Sequence, residues 1–150
     1  MNIPFASCFA SSAAALVVAS CAERQSELGI TISSLSGEYG VFASLSSPDS
    51  PGTDHAHNHV NIHLADDEGN ELSSVDTRAS PLSKWALGWM HDADIVVLES
   101  SDIGYRSFRV EGSQLVDNGR SDAIQLRACE LYQKKYERDG GPHCRQMLVE

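Results

Sequence analysis

Trp85-Ala86-Leu87-Gly88-Trp89, His91-Asp92-Ala93-Asp94, Ile95-Val96-Val97-Leu98-Glu99-Ser100, Ser101-Asp102-Ile103-Gly104, Tyr105 to Val110, Glu111-Gly112-Ser113-Gln114 and Leu115-Val116: in that order, residues 85–116 alternate apolar runs with clusters of Asp, Ser and Gly. Apolar and β-branched runs of this length, bounded by turn residues, read as strands. The links between them are too short for a crossover, so consecutive strands must run antiparallel. Trp85, Leu87 and Trp89 fall on one face at a period of two. Beside an apolar strand they read as core rather than as a sugar-binding pair.

The same rhythm extends toward the N-terminus. Residues 29–33 and Tyr39 to Leu45 form strands joined around Ser36-Gly37-Glu38, and residues 46–53 are a Ser/Pro/Gly loop. His57 to Leu64 is the next strand, Asp66-Asp67-Glu68-Gly69-Asn70 a turn, and Glu71 to Thr77 its hairpin partner. The acidic turn lacks the alternation and the closing bidentate Glu of a calcium loop. Beyond residue 120 the period changes. Ser121 is an N-cap, Asp122 suits the positive end of a helix dipole, and Ile124, Ala128 and Leu131 recur at helical spacing. The helix should run to about Arg138 and stop at Asp139-Gly140-Gly141-Pro142. The expected fold is mainly β (α+β): a small antiparallel β-sandwich or partly open barrel with one C-terminal α-helix over residues 121–138.

Asp54-His55-Ala56-His57-Asn58-His59-Val60-Asn61-Ile62-His63-Leu64 carries the most specific chemistry. On a strand, Ala56, Val60, Ile62 and Leu64 turn toward the core. His55, His57, His59, Asn61 and His63 then form one solvent-facing stripe, holding four of the chain's 6 histidines. Same-face neighbours sit about 7 Å apart, so two imidazoles can lean onto one ion. Nitrogen ligands favour Zn, Cu or Ni. The plainer reading is a polar outer face that happens to use His. A third is a pH response, because clustered imidazolium groups repel. His91, Asp92 and Asp94 would join a metal site only if their turn crossed to this strand. Glu99, Asp102, Asp92 and Asp94 could supply a hydrolytic carboxylate pair, but their spacing fits turns and Asx caps better.

At 150 residues the chain suits one domain. Its net charge of -10 argues against nucleic acid as a partner, since phosphate binding needs a positive field. Between Gln25 and Gly119 the only basic residues are Arg78, Lys84, Arg106 and Arg109, while Arg120, Arg127, Lys134, Lys135, Arg138 and Arg145 follow. An acidic body thus carries a mixed C-terminal segment, which reads as a solvated helix face.

Phe9 to Ala19 is an uncharged apolar run, too short to span a bilayer but suited to a signal core. It ends in Val18-Ala19-Ser20-Cys21, which resembles the lipobox of bacterial lipoproteins. The resemblance implies removal of residues 1–20, a covalent lipid of palmitate type on Cys21, and a tether over residues 21–28. Residues 29–150 would follow as a single domain. Residue 22 is Ala; the inner-membrane retention signal that the resemblance would imply is Asp, so an outer-membrane anchor facing the periplasm is expected. The first basic residue, Arg24, lies beyond the cut, where signal segments carry theirs before the apolar core. Cleavage by a general signal peptidase would instead give a soluble exported protein, and a buried Ala-rich helix a cytosolic one.

Export gives the cysteines a logic. Cys8 leaves with the signal, Cys21 takes the lipid, and Cys129 and Cys144 remain as an even pair in a compartment where disulfides persist. Bridging them would close a loop of about 15 residues, worth roughly 3 kcal/mol in the chain-entropy model. The alternative is two separate buried thiols. No Cys-X-X-Cys, Gly-x-Ser-x-Gly or His-Glu-x-x-His motif is present. The expected function is a non-enzymatic accessory or binding module of the envelope, touching the membrane and an envelope protein. A metal-binding or metal-sensing lipoprotein using His55, His57, His59 and His63 is the main rival, and a hydrolase comes third.

Overall fold

The computed structural model describes residues 27–46, 58–137 and 144. Eight strands and one helix follow in order: β1 (Ile32–Ser33), β2 (Tyr39–Leu45), β3 (Val60–Asp66), β4 (Glu71–Asp76), β5 (Trp85–Trp89), β6 (Ile95–Ser100), β7 (Gly104–Glu111), β8 (Gln114–Asp117) and α1 (Asp122–Tyr136). They make two four-stranded sheets, β1-β2-β3-β4 and β5-β6-β7-β8, in which every neighbour pair is antiparallel. Of the two expected architectures, the sandwich is the one formed.

Alternation along the strands explains the stacking. Val41, Ala43, Val60, Ile62 and Leu64 from the first sheet meet Trp85, Leu87, Trp89, Val96, Leu98, Phe108 and Leu115 from the second, all buried in one core. Each large side chain so enclosed contributes about 1.5–3 kcal/mol of transfer free energy. The two sheets are also fastened at both edges. Trp89 Nε1 donates to Ile32 O at 2.8 Å, and Leu115 N donates to Ser73 Oγ at 3.2 Å.

The helix forms a third layer. Ile124, Ala128, Leu131 and Tyr132 pack on Ala86 and Val97, which occupy the far face of the second sheet. That is why every residue of β5 is buried, whichever way it points. Gly88 is required by this contact: a Cβ there would stand 2.5 Å from Leu131 Cδ2. Ser121 caps α1 as expected, its Oγ accepting from Ile124 N at 3.3 Å.

Three boundaries differ most from the sequence reading. The histidine strand, expected over His57 to Leu64, is Val60–Asp66, with Asn58 and His59 ahead of it and Ala65 and Asp66 carried on to the acidic turn. The first strand shrinks to Ile32–Ser33, because Gly29 adopts φ 75 and Ile30 N closes a turn onto Glu27 O. The helix ends at Tyr136, with Glu137 in the left-handed region at φ 49, before the glycines are reached. Gly140, Gly141 and Pro142 lie outside the described residues, as does the loop 47–53.

Candidate functional site

The outer face of the first sheet holds the described part of the histidine strand. Cross-strand register sets Phe42, His63 and Ser74 in one row and Ser44, Asn61 and Asp76 in the next. Val60, Ile62 and Leu64 are fully buried on the opposite face, as alternation demands. His59, Asn61 and His63 share the outer face, but they are half-buried rather than freely solvated: the His63 side chain is 15% exposed and that of His59 23%.

The two imidazoles are held differently. The His63 ring lies flat on Phe42, centroids 4.7 Å apart, with Nε2 2.6 Å from Ser44 Oγ. Its buried Nδ1 stands 3.1 Å from Glu71 Oε1 but off line for a hydrogen bond. His59 Nδ1 lies 3.2 Å from Asp76 Oδ2. Four residues separate His59 from His63, or about 13 Å along a strand, so a single ion cannot bind both. The site residues His55 and His57, and the lipid-bearing candidate Cys21, lie outside the described residues.

Asp76 is positioned by its own turn. Arg78 occupies the left-handed region at φ 65, donates its backbone N–H to Asp76 Oδ1 at 2.9 Å, and brings Nε within 3.3 Å of Oδ2. Holding a side-chain-bearing residue there costs about 1 kcal/mol. Burial pushes the Asp76 carboxyl up, yet the Arg78 N–H and the His59 ring outweigh it and hold the acid below the usual carboxylate range. The acid thus stays an anion beside its imidazole.

The other acids singled out in the sequence are mostly turn residues. Asp102 accepts from Ser80 N at 2.7 Å and from Ser100 Oγ. Asp94 accepts from Ser36 Oγ at 3.0 Å, and Asp66 caps the turn to Asn70. His91 pairs with Glu130 at 3.0 Å, on the helix side and away from the histidine strand. Trp85, Leu87 and Trp89 are core. Among the described residues, no three His, Cys, Asp or Glu side chains gather as a metal site would need.

Glu99, another acid of that group, lies within β6 and is neither a turn residue nor a cap. It is fully buried, and neither carboxyl oxygen has a hydrogen-bond partner. It shares the helix-facing side of β6 with Val97, between Ala86 on β5 and Tyr105 on β7. Burial raises its pKa to about 7, against the opposing pull of Arg120. Arg120 itself stands over the Tyr105 ring, 5.1 Å from the centroid.

At the far end of α1, Lys135 rests 3.8 Å over the Trp85 ring, and burial lowers its pKa to about 8 while Glu27 opposes the shift. Cys129 on α1 and Cys144 stand at disulfide distance, Cα atoms 5.6 Å apart, both buried. No family model matches the chain, and no curated protein or solved structure matches it.

Proposed function

We propose that the chain is an exported envelope lipoprotein, anchored through Cys21 at the outer membrane facing the periplasm. It acts there as a non-enzymatic binding module for an envelope protein. The observation that carries this reading is the Cys129–Cys144 pair at disulfide distance, since such bridges persist in oxidising compartments and are rare in the cytosol. The contact surface is the outer face of the first sheet, where Phe42, His63, Asn61 and the Asp76–His59 pair combine an aromatic plane with polar groups already held in place. Preorganised groups bind with less ordering cost than mobile ones.

Mass spectrometry of the protein recovered from its native host tests the reading. The expected product begins at Cys21 with added acyl mass, and non-reducing peptide mapping recovers Cys129 joined to Cys144. An intact, unlipidated chain from Met1 with Cys129 and Cys144 both free, found in the cytosol, overturns it.

The His59–Asp76 contact favours one second reading. A carboxylate on Nδ1 is the usual means of orienting Nε2 toward a metal. On this reading His57 and His59 hold Zn, Cu or Ni, with His55 and His63 flanking them. Titration of the untagged protein with each ion should give stoichiometric binding that a His57→Ala/His59→Ala variant loses. Weak binding unchanged in that variant removes the metal reading and leaves the binding module standing.

A further inference from the structure

Glu99 occupies a position where its chemistry works against the fold. A carboxyl group enclosed between a sheet and a helix with both oxygens unpartnered is costly even when neutral, and far more so when ionised. A Leu or Met would fill the same space without that cost. Among the described residues, the groups sharing this interface are few. From β5 come Ala86 and no ionisable residue; from β7, Tyr105; from the turn before α1, Arg120; and from α1, Arg127, Tyr132, Lys135 and Tyr136. Most have other engagements. Arg127 donates to Trp89 O at 2.7 Å and to Glu130, the Tyr136 hydroxyl donates to Trp85 O at 2.8 Å, and Lys135 covers the Trp85 ring. Arg120 is exposed and stands over the face of Tyr105, the cross-strand partner of Glu99.

We infer that Glu99 is the trigger of a pH-dependent latch that holds α1 on the second sheet: neutral, it lets the helix seal over it; ionised, it loosens the helix and draws Arg120 from Tyr105 as its counter-ion. The sign follows from linkage. The closed state binds the proton up to about pH 7, whereas an exposed Glu releases it near 4.5. The latch is therefore tightest below pH 4.5, weakens through pH 7, and levels off above.

Native-state amide exchange on the full disulfide-bonded chain reads the latch directly, after correction for the intrinsic pH dependence of exchange. The opening equilibrium of α1 should rise by up to about tenfold per pH unit between pH 5 and 7, while amides of β2 and β3 change less. Glu99→Gln, which keeps the shape and removes the charge, should remove most of the pH dependence of α1 protection, and His91→Gln, which breaks the exposed contact with Glu130, should leave most of it in place. Carbon-13 titration of the Glu99 carboxyl in the unmutated protein should give a midpoint near neutrality, moved upward in Arg120→Gln. A midpoint at the ordinary Glu value, or a pH slope undiminished in Glu99→Gln, overturns the inference.

Discussion

At the level of single residues, the same carboxyl governs overall stability. Because the folded pKa of Glu99 lies above its unfolded value, the contribution is fully present below pH 4.5 and is lost as pH rises through about 7. The loss is on the order of 1–3 kcal/mol. Urea denaturation should therefore give Glu99→Gln a stability close to that of the unmutated protein at pH 4, and a gain of about 1–3 kcal/mol at pH 8. Equal stabilities at pH 8 would contradict the linkage. Gly88→Ala tests the neighbouring contact: its methyl meets Leu131 in a packed interface, and the expected cost is about 1–3 kcal/mol. The two positions also show what a sequence conceals. Glu99 sits in an apolar strand, and period-two alternation assigns it to the face opposite Val96 and Leu98. Nothing in the strand says that a helix some twenty residues downstream will cover that face. Asp76 was not singled out in the sequence at all, because its meeting with His59 depends on register and on a left-handed Arg78.

Single elements were far more legible. Tyr39–Leu45, Trp85–Trp89 and Ile95–Ser100 have the expected boundaries, since a short apolar run between turn residues has few alternatives. The strand at Ile32–Ser33 was overextended because Gly29 was read as part of a run, whereas its positive φ bends the chain there. Within the described residues, His59, Asn61 and His63 face away from Val60, Ile62 and Leu64 as expected; what alternation could not supply was the half-burial of His59 and His63, which comes from Phe42, Ser44 and Asp76 on adjacent strands. In α1 the spacing of Ile124, Ala128 and Leu131 identified the buried side, but buried Arg127 would have been assigned to solvent by charge alone. Its guanidinium is satisfied because the end of β5 presents Trp89 O and α1 itself presents Glu130. The helix start rests on Ser121, so Ser121→Ala should cost about 1 kcal/mol. Ser121→Asp should retain most of that stability, and thermal unfolding monitored by circular dichroism distinguishes the two.

For the molecule as a whole, three layers are joined by two unlike fastenings. Burial of apolar residues holds sheet to sheet and sheet to helix, whereas the Cys129–Cys144 pair ties the chain beyond α1 to the helix itself. The sequence made that pairing reasonable only through the compartment expected from the lipobox-like start. How the two meanders would stack could not be read at this scale, because each is complete by itself and their alignment is fixed by contacts between residues far apart in the chain, among them Trp89 with Ile32 and Leu115 with Ser73. The bridge acts mainly on the unfolded chain, by closing a loop of about 15 residues, so its reduction should cost about 3 kcal/mol. For a chain of this size that lowers the melting temperature by about 10 °C. The latch at Glu99 acts on the folded state through solvation of one charge, and the two share no partner. Their effects should then add: reduction lowers stability at pH 5 and pH 8 by the same amount, within about 0.5 kcal/mol. Calorimetry with and without reductant at both pH values checks this. A reduced protein whose stability no longer depends on pH would mean that the bridge, rather than packing, keeps Glu99 covered.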